Sequence, residues 1–355
     1  MPALLEAHDV TQVFGDERKG GTVALNDISF SISADVPSFT SVVGESGSGK
    51  TTLASILLGF LRPTKGEVRY LGKDLREASG EEHRRFRREV QAIFQDPFAV
   101  YNPFYKVDHL LAVPIRKFRL AASRAEARAL MASALRTVGL RPEDTLGRYP
   151  HQLSGGQRQR VTVARALLLK PRVIIADEPV SMVDASLRAT ILENLRQLHE
   201  DFGISFLYIT HDLATAYQVG DNIIVLYRGS VAETGDVEQV IKHPQHPYTQ
   251  LLVSSIPLPD PDRRWGEDIP VPVRTEGGAP ATQGCPFADR CPHVMPICRQ
   301  APPPLYRTHE HRGVACYIYQ DAPTVPAGEI NQVFRPRAAA AAGGEEAEAR
   351  ETSTR

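Results

Sequence analysis

The run Gly44-Glu45-Ser46-Gly47-Ser48-Gly49-Lys50-Thr51-Thr52 carries the residue types needed to grip a polyphosphate. Glycines let backbone N–H groups turn inward onto phosphate oxygens, a lysine reaches the β- and γ-phosphates, and a following hydroxyl ligates Mg²⁺. Lys50 and Thr51 stand where those two roles require them. Such a loop must leave a strand and enter a helix, whose N-terminal end adds positive potential. Phe39-Thr40-Ser41-Val42-Val43 before it reads as a buried strand, and Leu53-Ala54-Ser55-Ile56-Leu57-Leu58 after it reads as a helix. Those residues point to nucleotide binding.

Asp177 and Glu178 follow the apolar run Val173-Ile174-Ile175-Ala176. One carboxylate at a strand end can hold Mg²⁺ directly or through water, and its neighbour can take a proton from an attacking water. Leu153-Ser154-Gly155-Gly156-Gln157 precedes a helix expected at 157–169 and builds another anion-binding helix start. A helical insertion separates it from Gly44–Thr52 along the chain. A second copy or a paralogue, facing head to tail, would bring it over the bound phosphates.

The elements that must position these residues follow from periodicity. Leu25, Ile28, Phe30 and Ile32 belong to a small antiparallel sheet ahead of the loop. Glu67–Tyr70 and Gln91–Phe94 read as short strands, and residues 105–165 as an Ala-, Arg- and Leu-rich helical insertion. Strands at 172–176 and 205–209 flank a helix at 185–200, with further strands at 222–227 and 230–233. Alternation of this kind implies a parallel sheet with its ligand at the strands' C-terminal ends.

Composition sets bounds. A chain of 355 residues with net charge -1 holds about two domains and favours no acidic or basic partner. Arg84, Arg85, Arg87 and Arg88 sit among Glu81, Glu82 and Glu89, a solvated helix face, so nucleic-acid binding is not indicated. No stretch reaches the ~18 apolar residues of a membrane span, and no signal peptide opens the sequence. The expected location is the cytosol, with membrane contact only through partners.

With these motifs assembled, residues 4–250 resemble the nucleotide-binding subunit of an ABC transporter. The resemblance implies a P-loop, RecA-like α/β core with a parallel sheet, an antiparallel β subdomain and an α-helical subdomain at about 97–165. It makes Gly44, Ser46, Gly47, Ser48, Gly49, Lys50, Thr51 and Thr52 the Walker A loop. Ser154, Gly155, Gly156 and Gln157 become the signature, and Asp177-Glu178 the end of Walker B. Gln95 is the Q-loop glutamine, which senses Mg²⁺ beside the permease-contacting surface, and His211 the switch histidine at the γ-phosphate. Ser181 and Asp184 fall on the D-loop, with Met182-Val183 in place of the usual Ala-Leu, and Phe14 stacks on adenine. The implied catalytic set is Glu178, His211, Lys50 and Gln95, with Thr51, Gln95 and Asp177 around Mg²⁺.

The tail narrows the resemblance. His243-Pro244-Gln245-His246-Pro247-Tyr248-Thr249-Gln250-Leu251-Leu252, and the four cysteines Cys285, Cys291, Cys298 and Cys316, resemble the oligopeptide/dipeptide/nickel importer ATPases. Prolines at 257, 259, 261, 270 and 272 mark a linker. The expected units are residues 1–250, an extension at 251–320 and a disordered tail at 321–355. The cysteines are separated by five, six and seventeen residues, and this spacing does not choose between zinc and an iron–sulfur group. His293, His309 or His311 can replace a thiolate in a zinc site. Some members of the resembled family carry a [4Fe–4S] cluster here, so the resemblance implies one, with zinc as the alternative.

The implied partners are two transmembrane permease subunits, a second ATPase subunit (a paralogue rather than a copy) and an extracellular substrate-binding protein. The implied role is ATP hydrolysis driving import of di- or oligopeptides, at the cytoplasmic face of the membrane. Oligosaccharide or nickel import is the alternative within the family. A non-transport ATPase with a redox-sensing cluster is the alternative of another class.

Overall fold

The computed structural model describes residues 2–15, 21–96, 100–256, 284–326 and 328–335. Two long strands, β1 (Ala3–Phe14) and β2 (Thr22–Ser33), open the chain, and β3 (Phe39–Val43) leads through the glycine-rich loop into α1 (Lys50–Leu57). There follow β4 (Lys65–Tyr70), β5 (Lys73–Asp74), α2 (Gly80–Glu89) and β6 (Val90–Ile93). Next come α3 (Val107–Phe118), α4 (Arg124–Thr137), α5 (Pro142–Thr145) and α6 (Gly155–Leu167). The core resumes with β7 (Val173–Asp177), α7 (Ala185–Phe202), β8 (Ser205–Thr210), α8 (Leu213–Val219), β9 (Asn222–Tyr227) and β10 (Ser230–Asp236). It ends with α9 (Val237–Lys242), α10 (Pro247–Ser254), β11 (Tyr306–His309) and β12 (Arg312–Val314).

Two sheets organise these elements, one in the order β2-β1-β4-β5 and one in the order β11-β12-β10-β9-β3-β8-β7-β6. The first is antiparallel. In the second, β9, β3, β8, β7 and β6 run parallel, while β10, β12 and β11 continue antiparallel at one edge. Strands β3, β7, β8 and β9 are buried along their whole length. That is why they read as unbroken apolar runs: a parallel sheet is covered on both faces.

Three apolar cores hold the layers. Leu53, Ile56 and Leu57 of α1 pack between the antiparallel sheet (Leu5, Leu25, Phe30) and one face of the parallel sheet (Val42, Leu207). On the other face, Phe39, Ile174 and Phe206 meet Leu111, Leu135 and Val161 of the helical insertion and Leu195 of α7. The third core joins β9 and β10 to the cysteine-bearing extension through Val225, Tyr248, Phe287 and Tyr317.

Several boundaries differ from expectation. Helix α1 begins at Lys50 rather than Leu53, because the left-handed Gly49 caps it. Helix α6 begins at Gly155, two residues before the expected start. Strand β10 continues to Asp236 because β12 pairs with its second half, Thr234 opposite Gly313 and Gly235 opposite Arg312. Gly235 is required there, since a Cβ would lie 2.1 Å from the His311 carbonyl oxygen. The extension thus adds strands to the core sheet.

The segment from 321, expected as disordered tail, is folded among its described residues. Asn331 exchanges hydrogen bonds with the Ser31 backbone, and Arg335 N–H donates to Asn222 Oδ1 at 2.8 Å. Residues 336–355, and the expected linker from 257 to 283, lie outside the described residues.

Candidate active site

The parallel strands end on one side, and β3, β7 and β8 deliver the candidate residues there. Gly49 takes a φ of 102°, and a Cβ on it would meet the Ala24 carbonyl oxygen at 2.3 Å, so only glycine closes this turn. It offers no side-chain cap to α1, which leaves the first-turn N–H groups for an anion. Lys50 is buried, and its ammonium donates to Gly44 O at 2.7 Å, Glu45 O at 2.9 Å and Ser48 Oγ at 3.3 Å. Burial lowers its pKa, while the charges of Glu178, Asp177 and Glu45 act to raise it.

Asp177 closes β7 with its carboxyl buried, and burial raises its pKa against a hydrogen bond from Thr51. Its Oδ1 has no hydrogen-bond partner. An orphaned buried carboxylate oxygen beside a threonine hydroxyl fits a hard divalent cation, so Thr51 and Asp177 are the residues that would hold Mg²⁺. Glu178, the next residue, adopts a left-handed φ of 46°. Such a backbone costs roughly 1–2 kcal/mol for a residue with a Cβ. It is held by Glu178 N–H donating to Ile209 O at 2.8 Å and by Ser181 Oγ donating to Glu178 O at 3.0 Å.

The Glu178 carboxylate is gripped at both oxygens. Gln95 Nε2 donates to Oε2 at 2.8 Å, and His211 Nδ1 lies 2.9 Å from Oε1. Gln95 follows β6 and His211 follows β8, so the sheet order β8-β7-β6 places them on either side of Glu178. Lys50, Thr51, Asp177, Glu178, Gln95 and His211 therefore form one corner.

The other expected residues stand apart from that corner. Phe14 ends β1 half-exposed. Asp184 begins α7 without a capping hydrogen bond and is exposed. Ser154 and Gln157 spend their side chains on each other: Gln157 N–H donates to Ser154 Oγ at 3.2 Å, and Ser154 N–H to Gln157 Oε1 at 2.9 Å. This capping box accounts for both residues locally. Gly156 packs against Leu187, where a Cβ would meet Cδ1 at 2.9 Å, whereas Gly155 faces open space. Ser154 is the exposed residue of this turn, Gly155 is half-buried and Gly156 is buried.

Tyr248 was missed as a site residue. Its hydroxyl accepts the Glu45 N–H at 2.8 Å although 203 positions separate them. Its place in the His-Pro-Tyr run was the only signal.

All four cysteines are free thiols, and they line one enclosed cavity of about 10 Å³ with His246, His293 and Tyr317. Burial pushes the Cys285 thiol up to about 11 and raises Cys291 and Cys316 as well. His309 and His311, candidate substitutes for a thiolate, do not line that cavity. Among the described residues, no group of three or more His, Cys, Asp or Glu is arranged to hold a metal ion.

Comparison with known proteins decides the family. The sequence matches ABC transporter over residues 25–181 and Oligopeptide/dipeptide transporter, C-terminal region, over residues 232–298. It is 41% identical over 279 residues to the Oligopeptide transport ATP-binding protein OppF of Salmonella typhimurium, covering 78% of this chain and 82% of that one. The chain belongs to the oligopeptide/dipeptide ABC transporter ATPases. It is also 39% identical over 327 residues to the Di/tripeptide transport ATP-binding protein DppF of Pseudomonas aeruginosa, covering 89% and 98%. The post-hydrolysis dimer of the ATP-binding cassette MJ0796 with ADP and Pi superimposes with a TM-score of 0.58 at 31% identity, over 66% of this chain and 98% of that one. As a member of this family the chain is an ATP hydrolase with the expected α/β fold.

Proposed function

We propose that this chain powers import of di- and oligopeptides, with Glu178 as the group that polarises the attacking water. The observation that carries the residue assignment is the grip of Gln95 and His211 on the two Glu178 oxygens beside Lys50, Thr51 and Asp177. In phosphoryl transfer the protein's contribution is positioning and charge stabilisation. Lys50 and the α1 N–H groups bind the β- and γ-phosphates. Glu178 accepts the water's proton, and His211 and Gln95 fix its carboxylate in orientation. Bound at Thr51 and Asp177, with the Gln95 amide oxygen as a further donor, Mg²⁺ would neutralise charge on the phosphates.

The dimer supplies the rest. Gly44, Ser46, Gly47, Ser48, Gly49, Lys50, Thr51 and Thr52 of one subunit bind ATP with Phe14 against adenine. Ser154, Gly155, Gly156 and Gln157 of the other subunit approach the γ-phosphate, with Asp184 at the seam. Moving a dimer from 1:99 to 99:1 closed takes about 5.5 kcal/mol of differential binding. Charge-assisted hydrogen bonds contribute roughly 1.5–3 kcal/mol each, so two sandwiched nucleotides suffice.

The peptide substrate is supported by the names of the relatives, and the permease partners by a surface. A groove of about 450 Å³ beside Gln95 is lined by Phe60, Phe94, Phe118, Arg84 and Lys117. Phe60 and Phe94 stack at 6.2 Å, with Phe60 68% exposed. We assign this groove to a cytoplasmic segment of a permease. Among the described residues no helix is long and apolar enough to cross a membrane, and we place the subunit at the cytoplasmic face through its permease partners. A paralogous ATPase, two permeases and an extracellular binding protein complete the assembly.

For the cysteines we propose a [4Fe–4S] cluster. Support comes from the donor set, four thiols on one cavity, and a four-cysteine set is the usual cluster ligation. Zinc is the alternative, held by the same thiols through Zn–S bonds of about 2.3 Å.

The test is to isolate the membrane complex through this subunit and measure ATP hydrolysis with its binding protein, adding di- and oligopeptides. Stimulation by peptides is expected. Stimulation by nickel or an oligosaccharide alone would replace the substrate, and absence of permeases from the complex would remove the transport role.

A further inference from the structure

We propose that Arg290, from the cysteine-bearing extension, is a positioning residue for the phosphate loop: its guanidinium neutralises Glu45 so that the loop can accept a triphosphate. Glu45 is the second residue of Gly44–Thr52, and a carboxylate in a phosphate cradle repels the ligand. Its charge reaches Lys50, whose ammonium also hydrogen-bonds the Glu45 carbonyl. Arg290 meets this carboxylate with a two-pronged grip, Nη1 donating to Oε2 at 2.9 Å and Nη2 to Oε1 at 3.0 Å. Bidentate pairing of this kind fixes geometry as well as charge. The guanidinium is itself fixed, 5.7 Å from the Tyr227 ring centroid and 5.6 Å from that of Phe287. Tyr248 of α10 packs on the same two rings and takes the Glu45 N–H, so Tyr248 holds the backbone of this loop residue and Arg290 its side chain. Arg290 ends the short turn Ala288–Arg290 that runs into Cys291, which ties the loop's geometry to the cysteine-bearing end of the chain.

The inference rests on reading Gly44–Thr52 as the ATP loop, and the experiment separates the two. A fluorescent ATP analogue is titrated with Mg²⁺ into the full chain, and KM and kcat are measured alongside. Arg290→Ala is expected to raise Kd and KM about tenfold, the effect of one charge-assisted pair, with kcat little changed. Glu45→Gln is expected to bind at least as tightly as wild type, and adding it to Arg290→Ala should restore affinity, which a merely structural role for Arg290 would not allow. Arg290→Lys, keeping the charge, should fall between. Unchanged affinity in Arg290→Ala, or the same loss with and without Glu45→Gln, overturns the proposal. Should Arg290→Ala fold poorly, weakened binding by Glu45→Gln alone overturns it. Wild type binding no better than Lys50→Ala would instead overturn the loop reading.

Discussion

His211 Nδ1 lies 2.9 Å from Glu178 Oε1, joining the ends of two neighbouring parallel strands. Glu178 is held in a left-handed backbone and His211 is half-exposed. The pair therefore combines a fixed carboxylate with an imidazole that faces the open side of the site. The rigid member suits proton transfer and the exposed one suits contact with the γ-phosphate, as in the family resembled.

Glu178→Gln keeps the volume and the hydrogen bond from Gln95 while removing the base. It should bind ATP, dimerise and hydrolyse roughly 10²–10⁴-fold more slowly, the usual worth of a general base. Phosphate release and size-exclusion chromatography with ATP check both halves. Normal turnover would remove Glu178 from the role.

Much of this site was legible because its signals are local. The loop Gly44–Thr52 sits between a strand and a helix, and β3, β7, β8 and β9 declare themselves by burial on both faces. What escaped was long-range. Arg290 and Glu45 are 245 positions apart, Asn331 and Ser31 300 apart, and no periodicity connects such pairs. The Ser154-to-Gln157 spacing was visible, but it is also the pattern of a capping box. The structure shows that role filled, with Ser154 exposed and open space beside Gly155.

Phe60 tests the permease surface. At 68% exposure it contributes little to the core, so Phe60→Glu should leave thermal stability and ATP affinity near wild type, surface changes usually falling within about 0.5 kcal/mol. Burying a carboxylate against an apolar partner is costly. Co-purification with the permeases and peptide-stimulated ATPase should fall sharply. Retention of both would move the docking surface elsewhere.

Two buried groups behind the extension oppose each other with pH. Burial raises Glu233 from 4.5 to about 7, and burial lowers His246 from 6.5 to about 4. The folded state thus holds the Glu233 proton longer than the unfolded chain, so this group's stabilisation is lost as pH rises through about 7. His246 does the reverse, its contribution being lost as pH falls from 6.5 towards 4. Where the windows overlap, the contributions of these two groups cancel each other. Glu233→Gln keeps acceptance of the Gln245 and His246 N–H groups but abolishes one slope. Relative to wild type, its denaturation free energy should then rise with pH by about 1.4 kcal/mol per unit, measurable by urea melts of both proteins across that range. A variant profile parallel to that of wild type would show that Glu233 does not titrate on unfolding.

The cysteine cavity gives the last prediction. Burial raises the pKa of the Cys285, Cys291 and Cys316 thiols, so deprotonating these three together needs a strong cationic partner. A ligand that binds the folded state alone stabilises it by mass action. Protein purified without oxygen should therefore be brown, carry about four irons per chain and melt at a lower temperature after chelation. Cys298→Ser should prevent loading. The β12–β10 ladder lies outside the cavity and keeps the extension attached, so the stripped protein should unfold locally around Cys285–Cys298 before the nucleotide core. Hydrogen exchange resolves the two regions. A colourless protein with stoichiometric zinc, or one whose melting is indifferent to chelators, would rule the cluster out.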